Sequence, residues 1–173
     1  EVLQPRTGQT MKPWLPGTGD VEIDPDVDRR TILADWLTNP DNPFFARVEV
    51  NRLWSHMMGR GIVEPIDDFR DSNPPSNSEL LDALAADFVK HKFDRRHILR
   101  VILNSTTYQR SSESIPGNES DDRYFSRYHR RLLSAEQLLD AICDATSVPE
   151  QFGGLPAGTR ATQLPSPDFS KEF

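Results

Sequence analysis

With the exception of Pro43, all 14 prolines and all 9 glycines fall outside five segments of this chain, at 28–37, 43–58, 77–91, 95–105 and 135–146. Proline removes a backbone donor and clashes with the preceding turn, and glycine inside a helix costs about 1 kcal/mol relative to alanine. Regular helix is therefore favoured in these five windows, and each carries apolar side chains at helical spacing. The inward stripes are Ile32, Leu33, Trp36 and Leu37 in the first window, then Val50, Leu53 and Met57 flanked by Phe44, Trp54 and Met58 in the second. Leu80, Leu81, Leu84 and Phe88 form the third, Ile98, Val101 and Ile102 the fourth, and Leu138, Leu139 and Ile142 the fifth.

The ends of the windows carry helix signals. Asn42 precedes Pro43, an N-cap with proline at the first helical position. Ser76 with Glu79 and Ser134 with Gln137 read as capping boxes, Asp94 as a third cap, and Gly59 as a C-terminal stop. The expected fold class is mainly α, with about five helices in an irregular bundle and extended arms at both ends. Residues 1–26 read as an extended arm or linker, with a short strand near 2–3 or 21–23, residues 27–148 as the helical domain, and residues 149–173 as an irregular, truncated tail. A short helical turn is expected over 121–128.

Charge and composition narrow the function classes. Hydrophobic residues make up 36% and charged residues 27%, a balance that builds a core and not a disordered chain. The net charge of −7 argues against a general nucleic-acid binder. It is uneven: residues 1–90 carry 9 basic and 16 acidic side chains, whereas 91–131 carry 9 and 5. No apolar run approaches the ~18 residues that span a bilayer. Cys143 is the only cysteine, so the chain holds no internal disulfide, no Cys-x-x-Cys-His haem attachment and no paired Cys/His zinc spacing. No cofactor is expected in this chain, and a buried thiol is the expected state of Cys143.

The loop 59–77 is the first place to look for chemistry, because long loops inside small domains are usually functional or packed by their own side chains. It carries Glu64, Asp67, Asp68 and Asp71. Two carboxylates in unlike environments suit acid and base work on a glycosidic bond, and oxygen-rich loops bind calcium. The run lacks EF-hand spacing, and the structural alternative is that Asp67 and Asp68 cap turns and pair with arginines such as Arg70. On the preceding helix, Arg47, Asn51 and Trp54 share a face. They suit either a sugar site, with Trp stacking and Arg and Asn hydrogen bonds, or a buried polar network joining that helix to the loop. A guanidinium among Phe44, Val48, Asn51 and Trp54 needs an acceptor, and Asp67 and Asp68 are the expected ones. The four histidines, His56, His91, His97 and His129, show no metal-ligand pair on one helix, and His97 sits in an arginine-rich first turn, a poor place for a cation ligand, so solvated or capping histidines and no metal site are expected. The basic stretch 91–131 suits an acidic partner or a solvated surface equally.

Several strings occur together in order: Leu33-Ala34-Asp35-Trp36-Leu37, Asp41-Asn42-Pro43-Phe44-Phe45-Ala46-Arg47-Val48, Asn51-Arg52-Leu53-Trp54, Gly59-Arg60-Gly61-Ile62-Val63, Asp67-Asp68-Phe69-Arg70, Pro74-Pro75-Ser76 and Thr107-Tyr108-Gln109. Across roughly 27–165 they resemble the planctomycete-specific C-terminal domain of unknown function found in large secreted proteins. There it is joined to a sister domain and often to c-type cytochrome or carbohydrate-binding-like modules. The resemblance implies an extracytoplasmic setting, periplasmic or cell-surface, and no reaction. It implies partners among the other domains of a parent protein, with a c-type cytochrome domain or a polysaccharide as candidates. The leading expectation is a non-catalytic accessory or interaction module. The alternatives are a glycan-active enzyme domain using the loop carboxylates, and a docking module for extracytoplasmic electron transfer. An exposed apolar patch is expected around Trp14, Phe152, Phe169 and Phe173.

Overall fold

Five helices form within the five windows. The computed structural model describes residues 2–24 and 26–166, and it divides the chain into two compact units, Glu1–Tyr128 and His129–Phe173. In the first unit two short antiparallel ladders come first, β1 (Val2–Leu3) with β2 (Thr10–Met11) and β3 (Trp14–Leu15) with β4 (Gly19–Asp20). Residues 21–23 form no strand, although Val21 N–H donates to the Pro13 carbonyl at 2.8 Å beside the second ladder. Then come α1 (Arg29–Leu37), α2 (Phe45–Met58), α3 (Ser78–Lys90) and α4 (Arg95–Leu103). The chain is thus mainly helical, as its pattern predicts.

The core of this unit is built by α2, α3 and α4. Val50, Trp54, Met58, Leu81, Leu84, Phe88, Ile98 and Ile102 bury their side chains together, joined by Ile62 and Val63 from the loop after α2 and by Phe125. Burying a large aliphatic or aromatic side chain contributes about 1.5–3 kcal/mol, so this cluster is the main source of stability. By contrast α1 buries none of its residues, and Leu33 remains exposed. Its stripe is real in sequence but stays near the surface: Ile32 and Leu33 line a groove with Trp14 of the β3–β4 ladder, and Trp36 lies beside Phe44 with ring centroids 6.3 Å apart.

The caps show where side-chain chemistry ends each helix. Asn42 accepts from the Phe44 and Phe45 N–H groups, each at 2.9 Å, and opens α2. Gly59, at φ 81°, closes it. Asn77, not Ser76, caps α3 by accepting from Leu80 N–H at 2.9 Å. Ser76 instead sends its hydroxyl to the Ile62 carbonyl at 3.0 Å, so the expected box is displaced by a loop contact. Asp94 caps α4 through the N–H groups of Arg96 and His97.

Residues 121–128 form no helix. Asp121 draws in the N–H groups of Arg123, Tyr124 and Ser126, and the resulting turn holds Phe125 at φ 56°. A left-handed phenylalanine is strained. The compensation is its burial edge-on to Trp54, with ring centroids 5.3 Å apart. Tyr128 then donates to the Met57 carbonyl at 3.2 Å, returning the segment to α2.

The second unit is α5 (Ala135–Thr146) with the tail folded along it. The Ser134–Gln137 capping box forms as expected. The buried residue of α5 is Asp140, whereas Leu138 and Ile142, expected inward, are exposed. Asp140 accepts from Ala161 N–H at 2.7 Å and from the Thr162 hydroxyl at 2.8 Å, so the tail docks on a polar anchor and not on the apolar stripe. Burial pushes the Asp140 carboxyl up, but the Thr162 hydroxyl, the Ala161 and Thr162 N–H groups and Arg160 outweigh it and leave it below the usual carboxylate range. Cys143 is half-buried and free.

Candidate functional site

The loop after α2 closes on Asn51, which is completely buried. Its side-chain amide donates to the Val63 carbonyl at 3.0 Å and the Ile66 carbonyl at 2.8 Å, and its oxygen accepts from Val63 N–H at 3.0 Å. A buried backbone stretch must satisfy its donors and acceptors, and here one side chain on α2 does so for a loop with no ladder of its own. Gly61 allows the approach. A β-carbon there would lie 2.2 Å from the Val63 carbonyl and 3.0 Å from the Asn51 amide nitrogen.

The loop carboxylates are tied down. Asp67 takes a two-point pair from Arg52, at 2.9 and 3.0 Å. Asp68 takes another from Arg70, at 2.6 and 2.7 Å. Glu64 accepts from Gly61 N–H at 2.9 Å. The Arg52 hydrogen bonds hold the Asp67 carboxyl below the usual range, and those from Arg70 do the same for Asp68. Both are therefore held as carboxylates, the form unsuited to a general acid.

Arg47 does not join this network. Its Nε lies 3.1 Å from Asp82 Oδ1 on α3, close but too poorly directed for a hydrogen bond, and the Arg47 side chain is 37% exposed. The expected pair with Asp67 or Asp68 is thus replaced. Those two acids have nearer arginines, and the position of Arg47 one turn before Asn51 points it at α3. Trp54 is 2% exposed, and its indole N–H lies buried without an acceptor. It is packed against Phe125 and offers no face for a sugar to stack on.

Two polar pairings lie outside the sequence-derived set. Glu49, nearly buried on α2, accepts from Arg95 of α4. A glutamate inside an apolar stripe is the signal that marks it. Further along, Asp87 and His91 at the end of α3 meet His97 of α4. Asp87 Oδ1 lies 3.1 Å from His91 Nδ1 and Oδ2 lies 2.6 Å from His97 Nε2. The two imidazoles stack with centroids 3.7 Å apart and planes 22° apart. The His97 hydrogen bond holds the Asp87 carboxyl below the usual range. No spacing on a single helix finds this trio, because a turn between two helices assembles it.

The family model of PSD1, described as a protein of unknown function (DUF1553), matches residues 29–167. The chain belongs to this family. The match begins at the first residue of α1 and spans all five helices, with the Asn51 network and the Asp87–His91–His97 trio inside it. No curated protein and no solved structure matches the chain. The family description assigns no reaction, so function rests on the geometry above. Among the described residues no helix is long and apolar enough to cross a membrane.

Proposed function

We propose that this domain is a non-catalytic interaction module of a larger extracytoplasmic bacterial protein, packed against neighbouring domains of its parent. The observation that carries this reading is the pairing of Asp67 with Arg52 and of Asp68 with Arg70. A glycan-cleaving site needs one carboxyl protonated and one free beside a cleft. These two are ionised and spent on arginines, and Trp54 is packed inside the core. The Arg52–Asp67 pair acts as a strut that fixes the loop on α2, and the Asp68–Arg70 pair closes a turn within the loop.

Apolar side chains at the surface supply the interaction face. Trp14, Met11 and Leu33 remain exposed around the groove of about 310 Å³ between the β3–β4 ladder and α1. In the second unit Leu132, Leu138, Ile142 and Val148 are exposed as well. Contiguous apolar surface on a soluble domain marks a contact site. Phe152, expected in such a patch, is buried, and Phe169 and Phe173 lie outside the described residues. A c-type cytochrome domain and a polysaccharide-binding module are the neighbours this reading favours, from the resemblance set out above.

The test is hydroxyl-radical footprinting of this chain alone and of the same chain joined to the adjoining domains of its parent. Protection of Trp14 and Leu33 in the longer protein is the expected result. Hydrolysis of any member of a polysaccharide panel by the chain, lost in Asp67→Asn or Asp68→Asn, overturns the reading.

A further inference from the structure

The turn between α3 and α4 holds a donor set that the interaction reading leaves unused. Asp87, His91 and His97 place one carboxylate oxygen and two imidazole nitrogens within 4.8 Å of one another. Zinc bonds to His nitrogen and carboxylate oxygen measure about 2.0–2.2 Å, so ligands around one tetrahedral ion stand ~3.4 Å apart. The two contacts to Asp87, at 3.1 and 2.6 Å, are already of that order. We propose that Asp87, His91 and His97 form a divalent transition-metal site of the zinc class, with the remaining coordination positions open to solvent.

Three features of the turn support this. First, it is held in place by strain. Lys92 and Phe93 are both left-handed, at φ 53° and 60°, a conformation that costs a non-glycine residue energy. Phe93 secures it by packing against Phe88 and Phe45, with centroids 5.3 and 5.7 Å away. The turn therefore carries His91 on one side and His97 on the other in fixed register. Second, both histidines direct a ring nitrogen at the same carboxylate, His91 Nδ1 at Oδ1 and His97 Nε2 at Oδ2, so the donor atoms are already gathered and a rotation of the stacked rings turns them to one ion. Third, the side chains are 29–40% exposed, which gives an ion a path in from solvent.

The donor set also selects the ion. Two imidazoles with one carboxylate suit zinc, cobalt, nickel, copper or iron(II), whereas calcium and magnesium take oxygen ligands. Two costs set the affinity. His91 Nδ1 also bonds the Asp87 carbonyl at 2.9 Å, and a metal on that nitrogen displaces this hydrogen bond. Lys90, whose charge reaches Asp87, opposes a cation. With three protein ligands and these opposing terms, micromolar binding is expected, not the tight binding of a closed four-ligand structural site.

The experiment is a Co²⁺ titration of the tag-free chain followed by its visible d–d bands, with Zn²⁺ competition and Zn²⁺-dependent melting, on wild type, His91→Asn, His97→Asn and Asp87→Asn. Wild type is expected to bind one Co²⁺ per chain, to exchange it for Zn²⁺, and to melt several degrees higher with Zn²⁺. Each variant is expected to bind at least tenfold more weakly, with an unchanged far-UV circular dichroism spectrum. No Co²⁺ spectrum and no Zn²⁺ shift in the wild type at 100 µM metal overturns the proposal without reference to any variant. Wild-type binding that survives in both histidine variants also overturns it, because His56, His129 or Cys143 then holds the ion.

Discussion

Asn51 pairs with Val63 in both directions, donating to its carbonyl and accepting from its N–H at 3.0 Å each. One side chain thus makes the two-way bond that a neighbouring strand would otherwise supply, and the loop after α2 can be buried without a sheet. Ile62 and Val63 enter the core on the strength of it.

Asn51→Ala removes that partner and leaves the Val63 N–H and carbonyl buried and unpaired, and the part-buried Ile66 carbonyl without its donor. Each unsatisfied buried group costs about 1–3 kcal/mol, so a loss of roughly 2–4 kcal/mol is expected after partial relaxation. Urea unfolding followed by tryptophan fluorescence measures it. Asn51→Asp is expected to be no better, because it keeps the acceptor for Val63 N–H but turns a charge on two carbonyl oxygens. A loss below 0.5 kcal/mol in Asn51→Ala means that the loop does not depend on this bond.

Gly61→Ala tests the same network from the loop side. The added methyl meets the Val63 carbonyl at 2.2 Å and the Asn51 amide at about 3 Å, and both are held by the bonds just described. Overpacking of this kind costs about 1–3 kcal/mol. Gly153→Ala, where a methyl group meets nothing within 4 Å, is the control and is expected to be near neutral.

These two residues show how far the sequence is legible. Helix positions follow from local rules, since proline, glycine and caps act over one turn, and the five windows become five helices. That Asn51 belongs to a polar network was readable, because a buried amide must find partners. Which residue partners which acid was not. Arg47, Arg52 and Arg70 are equivalent in composition, and only the path of the loop brings Arg52 to Asp67 and leaves Arg47 beside Asp82. The apolar stripe of α5 misled for a similar reason. Periodicity marks a face able to be buried, but the tail seats on Asp140 instead. The Asp87–His91–His97 trio depends on two left-handed residues, Lys92 and Phe93, that no propensity rule anticipates.

Arg47 and Arg95 are expected to differ sharply. The Arg47 pair with Asp82 is exposed on both sides, with side-chain exposures of 37% and 60%, and surface pairs contribute about 0–1 kcal/mol. Arg47→Ala should therefore lower the melting temperature by only a few degrees. Arg95→Ala strands Glu49, whose side chain is 10% exposed, and the loss of a hydrogen bond to a buried charge costs about 1.5–3 kcal/mol. Parallel thermal melts of the two variants decide it. Equal destabilisation contradicts the assignment of Glu49–Arg95 as the interior pair.

Asp121 gives the chain a pH dependence of defined sign. The Ser126 hydroxyl beside it, then the N–H groups of Tyr124, Ser126 and Arg123, hold its carboxyl far below the usual carboxylate range. A depressed folded value means that the native state favours the ionised form, so this stabilisation is fully present above the unfolded value of about 3.9. It is lost as pH falls from there through the folded value, because the unfolded chain takes up the proton first. In Asp121→Asn the side chain no longer carries the charge, and its NH₂ group cannot accept from the Ser126 N–H. Urea unfolding of wild type and Asp121→Asn at pH 7, 5, 3.5 and 2.5 should show a constant gap down to about pH 5 and a narrowing one below pH 4. The strained Phe125 turn should loosen with it, read as faster amide exchange at Tyr124 and Ser126 in the variant. A stability gap that stays constant from pH 7 to pH 2.5 means that the turn is held by packing of Phe125 on Trp54 and not by the Asp121 charge.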